Sequence, residues 1–234
     1  MLMNFPQLIQ DSWNFIRNRS QFSLFAIILL VKIQAIVLLV MPNAPVSAEA
    51  SISMLLPTII IGIANVYVSL LLILNIKSIN AGQYHSFLQN ALTAFNKLLP
   101  AIGLYILMVL PLSFGLSSVL LSVMSGSGVN IISLPLLVMG IFIFMKLCLS
   151  IYIYLIEDYS FGQAVRFTWN FTKGKMNLML GYCLIANVLP QLLAGLVSKL
   201  GDNIAVMIIS FFISAFLSLF TTIFGFRFYQ AIRQ

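Results

Sequence analysis

The sequence has few charges. Only 7% of its 234 residues are Asp, Glu, Lys or Arg, whereas soluble domains carry about 25%. So sparse a set cannot cover the surface of a water-soluble fold of this length. Hydrophobic residues make up 61% of the chain, and the mean hydropathy is +1.07. Much of that apolar surface must therefore meet lipid. Acidic residues are the scarcest: five stand against twelve Lys and Arg, for a formal net charge of +7. In a soluble chain this excess would point to nucleic acid. Here the cations are too scattered to form a phosphate-binding face, and no nucleic acid partner is expected.

Residues that carry chemistry are also rare. The single histidine, His85, lies in a polar connection with no second His or Cys nearby, which excludes a metal centre built on it. The two cysteines, Cys148 and Cys183, sit inside apolar runs and read as small packing residues rather than a disulfide or zinc framework. The carboxylate pair Glu157-Asp158 reads as a polar cap where a span ends. Serines are plentiful, but none has a partner His to activate it. No phosphate-binding loop, dinucleotide fingerprint or zinc-protease signature occurs. No catalytic residue, cofactor or metal is expected, and the chain reads as a non-enzyme.

What the sequence does have is long apolar runs. A spanning helix needs about 20 mostly apolar residues. Six segments qualify: 22–41, 52–76, 98–123, 131–156, 177–197 and 204–226. The first is followed by Val46-Ser47-Ala48, which loosely resembles a signal-peptidase site. The run is too long for the apolar core of a cleaved signal, about 7–15 residues, and contains Lys32. It is read as a retained first span. Connections 41–51, 124–130 and 198–203 are short and nearly uncharged, with Glu49, Lys199 and Asp202 as their only ionisable residues. The other connections and both ends are basic: Arg17, Arg19, Lys77, Lys97, Arg166, Lys173, Lys175, Arg227 and Arg233. Nine cations thus lie on one side and Lys199 alone on the other. The positive-inside rule then puts both termini in the cytoplasm.

The basic side repeats itself. Residues 5–19 read FPQLIQDSWNFIRNR and residues 161–175 read FGQAVRFTWNFTKGK. A third, weaker copy holds Phe87, Gln89, Phe95 and Asn96 at the same spacing. The shared pattern is F-x-Q-x5-[WF]-N, followed by basic residues and an apolar run. In the first copy Phe5, Leu8, Ile9, Trp13 and Ile16 share one helical face. Each copy reads as an amphipathic helix in the headgroup region, with its aromatic at the interface and its cations toward phosphates. The candidate lipid-interface residues are Trp13, Arg17, Arg19, Phe95, Lys97, Trp169, Lys173 and Lys175. Each copy precedes a pair of spans, so the chain divides into units of about 1–80, 81–158 and 159–234 within one transmembrane domain. Units of equal orientation imply a pseudo-threefold axis along the membrane normal.

Polar residues within spans are functional candidates by default. These are Lys32, Asn65, Lys146, Asn187 and Gln191. The lysines lack an acidic partner within a span, and they either line a polar centre or snorkel. Asn65 with Ser69 and Asn187 with Gln191 are spaced for interhelical hydrogen bonds. Ser210, Ser214 and Ser218 form a small-residue stripe suited to close packing. Pro57, Pro100, Pro111, Pro135 and Pro190 lie at or inside spans and can free backbone carbonyls there.

The segment Phe167–Trp169, the stretch WNFIRN at 13–18 and the ending FRFYQAIRQ at 226–234 resemble the YciC family of bacterial inner-membrane proteins. The likeness runs along the whole chain. It implies a six-span protein of the Gram-negative inner membrane and no activity or catalytic residue. The expected fold is therefore an all-α integral membrane protein of three parallel repeats. The expected role is a non-enzymatic scaffold that contacts the phospholipid bilayer, anionic headgroups or envelope proteins through its basic rim. The alternative is a transporter or channel for a small solute, ion or lipid, with a polar centre near Lys32 and Lys146.

Overall fold

The computed structural model describes residues 3–40, 55–82, 87–125, 131–199, 201 and 203–233. His85, the connection 41–51, nearly all of 124–130 and Asp202 lie outside them. Every element among the described residues is helical. In chain order they are α1 (Phe5–Asn18), α2 (Ser20–Val40), α3 (Leu55–Asn80), α4 (Phe87–Asn96), α5 (Leu98–Met124), α6 (Ser133–Leu147), α7 (Ser150–Ile156), α8 (Phe161–Phe171), α9 (Met176–Cys183), α10 (Leu189–Ser198) and α11 (Ile204–Arg233). A π-helical turn, Leu184–Val188, joins α9 to α10.

Among the described residues, five segments are long and apolar enough to cross a membrane: Leu56–Asn80, Leu98–Met124, Ser133–Ile156, Met176–Val197 and Ile204–Arg233. A sixth, Ser20–Ile36, passes only together with Phe5–Asn18, from which it is bent by 94°. The third of the five contains α6 and α7, with a break at Cys148 and Leu149. The fourth contains α9, the π-helical turn and α10. Pro190, at the start of α10, cannot donate a helical hydrogen bond. A wider turn just before it accommodates the lost bond.

The chain forms two compact units. The first contains residues 1–96 and 184–234, and the second residues 97–183. Their boundaries fall at Lys97, the cap before α5, and at the π-helical turn. Neither coincides with the repeat boundaries at about 80 and 158.

In the first unit, α1 lies along the last turns of α11. Phe5 stacks on Phe228 at 5.9 Å, and Trp13 meets the edge of Phe216 at 5.9 Å. Ile223, Phe224, Phe226, Phe228 and Tyr229 are fully or almost fully buried there. At 1.5 Å per residue α11 is about 45 Å long, longer than the hydrocarbon core of about 30 Å. Its aromatic end therefore extends beyond the stretch needed to span. Helix α4 is tied to α3 by polar contacts. The buried Asn90 amide donates to Asn75 Oδ1 at 3.1 Å and to Ser78 Oγ at 3.3 Å, and Tyr67 donates to the Ala91 carbonyl.

In the second unit, α5 and α6 pack backbone to backbone. A Cβ added at Gly140 would lie 2.6 Å from the Pro111 carbonyl oxygen, and one at Gly115 would lie 2.5 Å from Leu137 Cα. Small residues permit this approach, which is how helices gain packing energy where lipid offers no hydrophobic drive. The serine stripe of α11 is less closely packed: Ser210, Ser214 and Ser218 are half-buried, while Ala215 and Leu219 are fully buried.

Candidate functional site

Two short helices start on the pattern's phenylalanine, α1 at Phe5 and α8 at Phe161, and α4 is helical from Phe87 onward among the described residues. In α1 and α8 the pattern's glutamine is then the third helical residue, where Gln or Glu closes a capping box. In α8 the Gln163 side chain accepts from the Ser160 backbone and hydroxyl, both at 3.0 Å. In α1 the exchange runs one way, from the Gln7 N–H to Asn4 Oδ1 at 3.3 Å.

The inward positions also fall in register. Leu8, Asn90 and Ala164 are buried at the fourth residue of α1, α4 and α8, and Ser12, Ala94 and Thr168 at the eighth. Ser12 and Thr168 make the same bond within their helices, to the carbonyls of Leu8 and Ala164. The ninth residues point outward: Trp13 is 50% exposed, Phe95 67% and Trp169 41%. The face formed by Phe5, Leu8, Ile9, Trp13 and Ile16 thus divides, with Leu8 inside and Ile9 and Trp13 outside.

The basic residues differ in their freedom. Arg17, Arg19 and Lys173 are exposed. At the bend after α1, the Ser23 hydroxyl is within 3.0 Å of the carbonyls of both Ile16 and Arg19. Lys175 lies with its Nζ 4.1 Å from the centre of the Phe171 ring, after a turn in which Gly174 takes φ +75°. Lys97 is held within its unit: it pairs with Asp158 and lies over the Tyr154 ring. Asp158 takes φ +59° just after α7, a left-handed conformation that Asp tolerates better than most residues.

The intramembrane polar candidates fall in different surroundings. Lys32 is exposed on α2, and Asn65, Asn187 and Gln191 are exposed on their own elements. Lys146 is buried at 6% exposure. Its ammonium reaches the Trp169 carbonyl at 3.5 Å and lies over the rings of Phe142 and Trp169. Thr172 returns the contact, donating toward the Lys146 carbonyl at 3.3 Å. Each helix end thereby supplies a donor to the other's terminal carbonyls.

A second polar feature was not singled out by the sequence. In the first unit, Asp11, Asn14, Asn18, Arg19, Asn80 and Arg227 line a cavity of about 580 Å³. Asn80, Arg227, Gln230 and Arg233 line a second of about 590 Å³. The two share Asn80 and Arg227. The Arg227 guanidinium sits 5.6 Å from the Phe15 ring, and its Nη1 donates to Gln230 Oε1 at 3.2 Å. Its Nε–H is buried and has no hydrogen-bond partner among the described residues. The signal in the sequence was an arginine set between Phe226 and Phe228, both of which are buried. Charge counting recorded only its sign.

No family model matches the chain, and no solved structure matches it. The chain is similar to an uncharacterised protein of Haemophilus influenzae (strain ATCC 51907 / DSM 11121 / KW20 / Rd). The two are 24% identical over 212 residues, covering 87% of each.

Proposed function

We propose that this chain is a non-enzymatic, multi-pass scaffold of the bacterial inner membrane that contacts anionic lipid headgroups or envelope partners through a basic cytoplasmic rim. In this reading α1, α4 and α8 are three copies of one interfacial helix, both termini are cytoplasmic, and the chain is a pseudo-threefold member of the YciC family. The observation that carries it is the 94° bend between α1 and α2, with Trp13, Arg17 and Arg19 exposed. If α2 runs along the membrane normal, α1 lies in the plane of the interface, where Trp and Arg are most stable. The common register of buried and outward residues in the three helices supports their equivalence. The transporter reading draws no support from the lysines: Lys32 is exposed, while Lys146 reaches the Trp169 carbonyl.

The two tryptophans of the chain are Trp13 and Trp169, so selectively excited tryptophan fluorescence reports on α1 and α8 alone. In vesicles of brominated lipids, shallow bromines are expected to quench both more strongly than deep ones. Stronger quenching by deep bromines, or full access to aqueous iodide, would refute an interfacial position.

A further inference from the structure

We infer that the paired cavities around Arg227 form a binding site for a single phosphoryl group, either free or carried on a lipid headgroup. Arg19, Arg227 and Arg233 line these walls with Asp11 as the opposing acid, which leaves a local excess of positive charge. Asn80 and Gln230 add amide donors. The Phe15 ring and the Gln230 side chain hold the Arg227 guanidinium in one orientation. A fixed planar fork is what bidentate recognition of phosphate requires, and a lysine would not supply it. The volumes lie within the range of small-molecule pockets, about 300–1,000 Å³. Burial of the Nε–H without a partner is unfavourable for the fold by itself. It is the kind of local cost that functional sites retain.

This goes beyond a basic rim, because a rim attracts anions diffusely and needs no particular arginine. The two ideas part on one substitution: Arg227→Lys keeps the charge and removes the fork. The full-length protein is reconstituted in phosphatidylcholine nanodiscs and titrated with inorganic phosphate by calorimetry. In a second arm, protein from mixed phosphatidylcholine and phosphatidylglycerol vesicles is analysed by native mass spectrometry for retained phosphatidylglycerol. One saturable equivalent is expected in at least one arm, and the arm identifies the source. Arg227→Gln and Arg227→Lys are each expected to weaken it about tenfold or more, the scale of a charge-assisted hydrogen bond. If Arg227→Gln does not fold, the exposed Arg233→Gln replaces it, with a smaller loss expected. No saturable binding in either arm overturns the site. So does Arg227→Lys binding like the wild type, an outcome that leaves the basic rim intact.

Discussion

The contact between α5 and α6 makes the sharpest test of the packing. A methyl group at Gly140 would sit 2.6 Å from the Pro111 oxygen, 2.7 Å from Leu112 Cα and 2.9 Å from Leu112 N. All three are backbone atoms, so no rotamer change relieves the clash. Carbon contacts are optimal at about 3.5–4.0 Å, so the helices must part by about 1 Å where they now touch. Overpacking of this kind costs about 1–3 kcal/mol, and rigid neighbours favour the upper end. At about 2–4 °C per kcal/mol for a chain of this size, Gly140→Ala is expected to lower the midpoint of thermal unfolding in detergent by about 5–10 °C. Gly115→Ala meets Leu137 Cα at 2.5 Å and is expected to cost a similar amount. Because both open the same crossing, the double variant is expected to lose less than the sum of the two. Gly62 is the control: its added Cβ has nothing within 4 Å, and in mid-helix Ala is favoured over Gly by about 0.5–1 kcal/mol. Gly140→Ala tolerated as well as Gly62→Ala would refute the close approach.

Two further substitutions probe the second unit. The buried Thr172 hydroxyl lies within hydrogen-bond distance of the carbonyls of Lys146, Thr168 and Trp169, so Thr172→Val is expected to cost about 1 kcal/mol in unfolding by denaturing detergent. Thr168 donates only within its helix, to a carbonyl that keeps its backbone partner, and equal losses for Thr168→Val and Thr172→Val would count against the link between helix ends. Asp158→Asn removes the pair with Lys97, a partly exposed interaction worth about 0–1 kcal/mol. Asp158→Ala also forces alanine to φ +59°, so it is expected to be less stable than Asp158→Asn by about 1 kcal/mol. Indistinguishable midpoints for the two would remove the conformational argument.

The sequence by itself determined that apolar runs dominate and approximately where the long helices lie. It did so because the need to satisfy backbone hydrogen bonds within an apolar segment is local. It also marked three short segments by the repeated F-x-Q pattern, and each is helical from the pattern's phenylalanine onward among the described residues. Only the tertiary structure decided which faces turn inward. Leu8 and Trp13 looked alike as members of one apolar face, yet one is buried and the other half exposed, because α11 covers only part of α1. Lys32 and Lys146 were equivalent as lone cations in apolar runs. One is exposed and the other is buried against a carbonyl and two rings, because the end of α8 stands opposite Lys146. The packing of Gly140 on Pro111 and the placement of the half-buried Arg227 beside Phe15 depend on residues far apart in the chain. Helical periodicity reports how residues are arranged around one axis. It carries no information about what stands opposite.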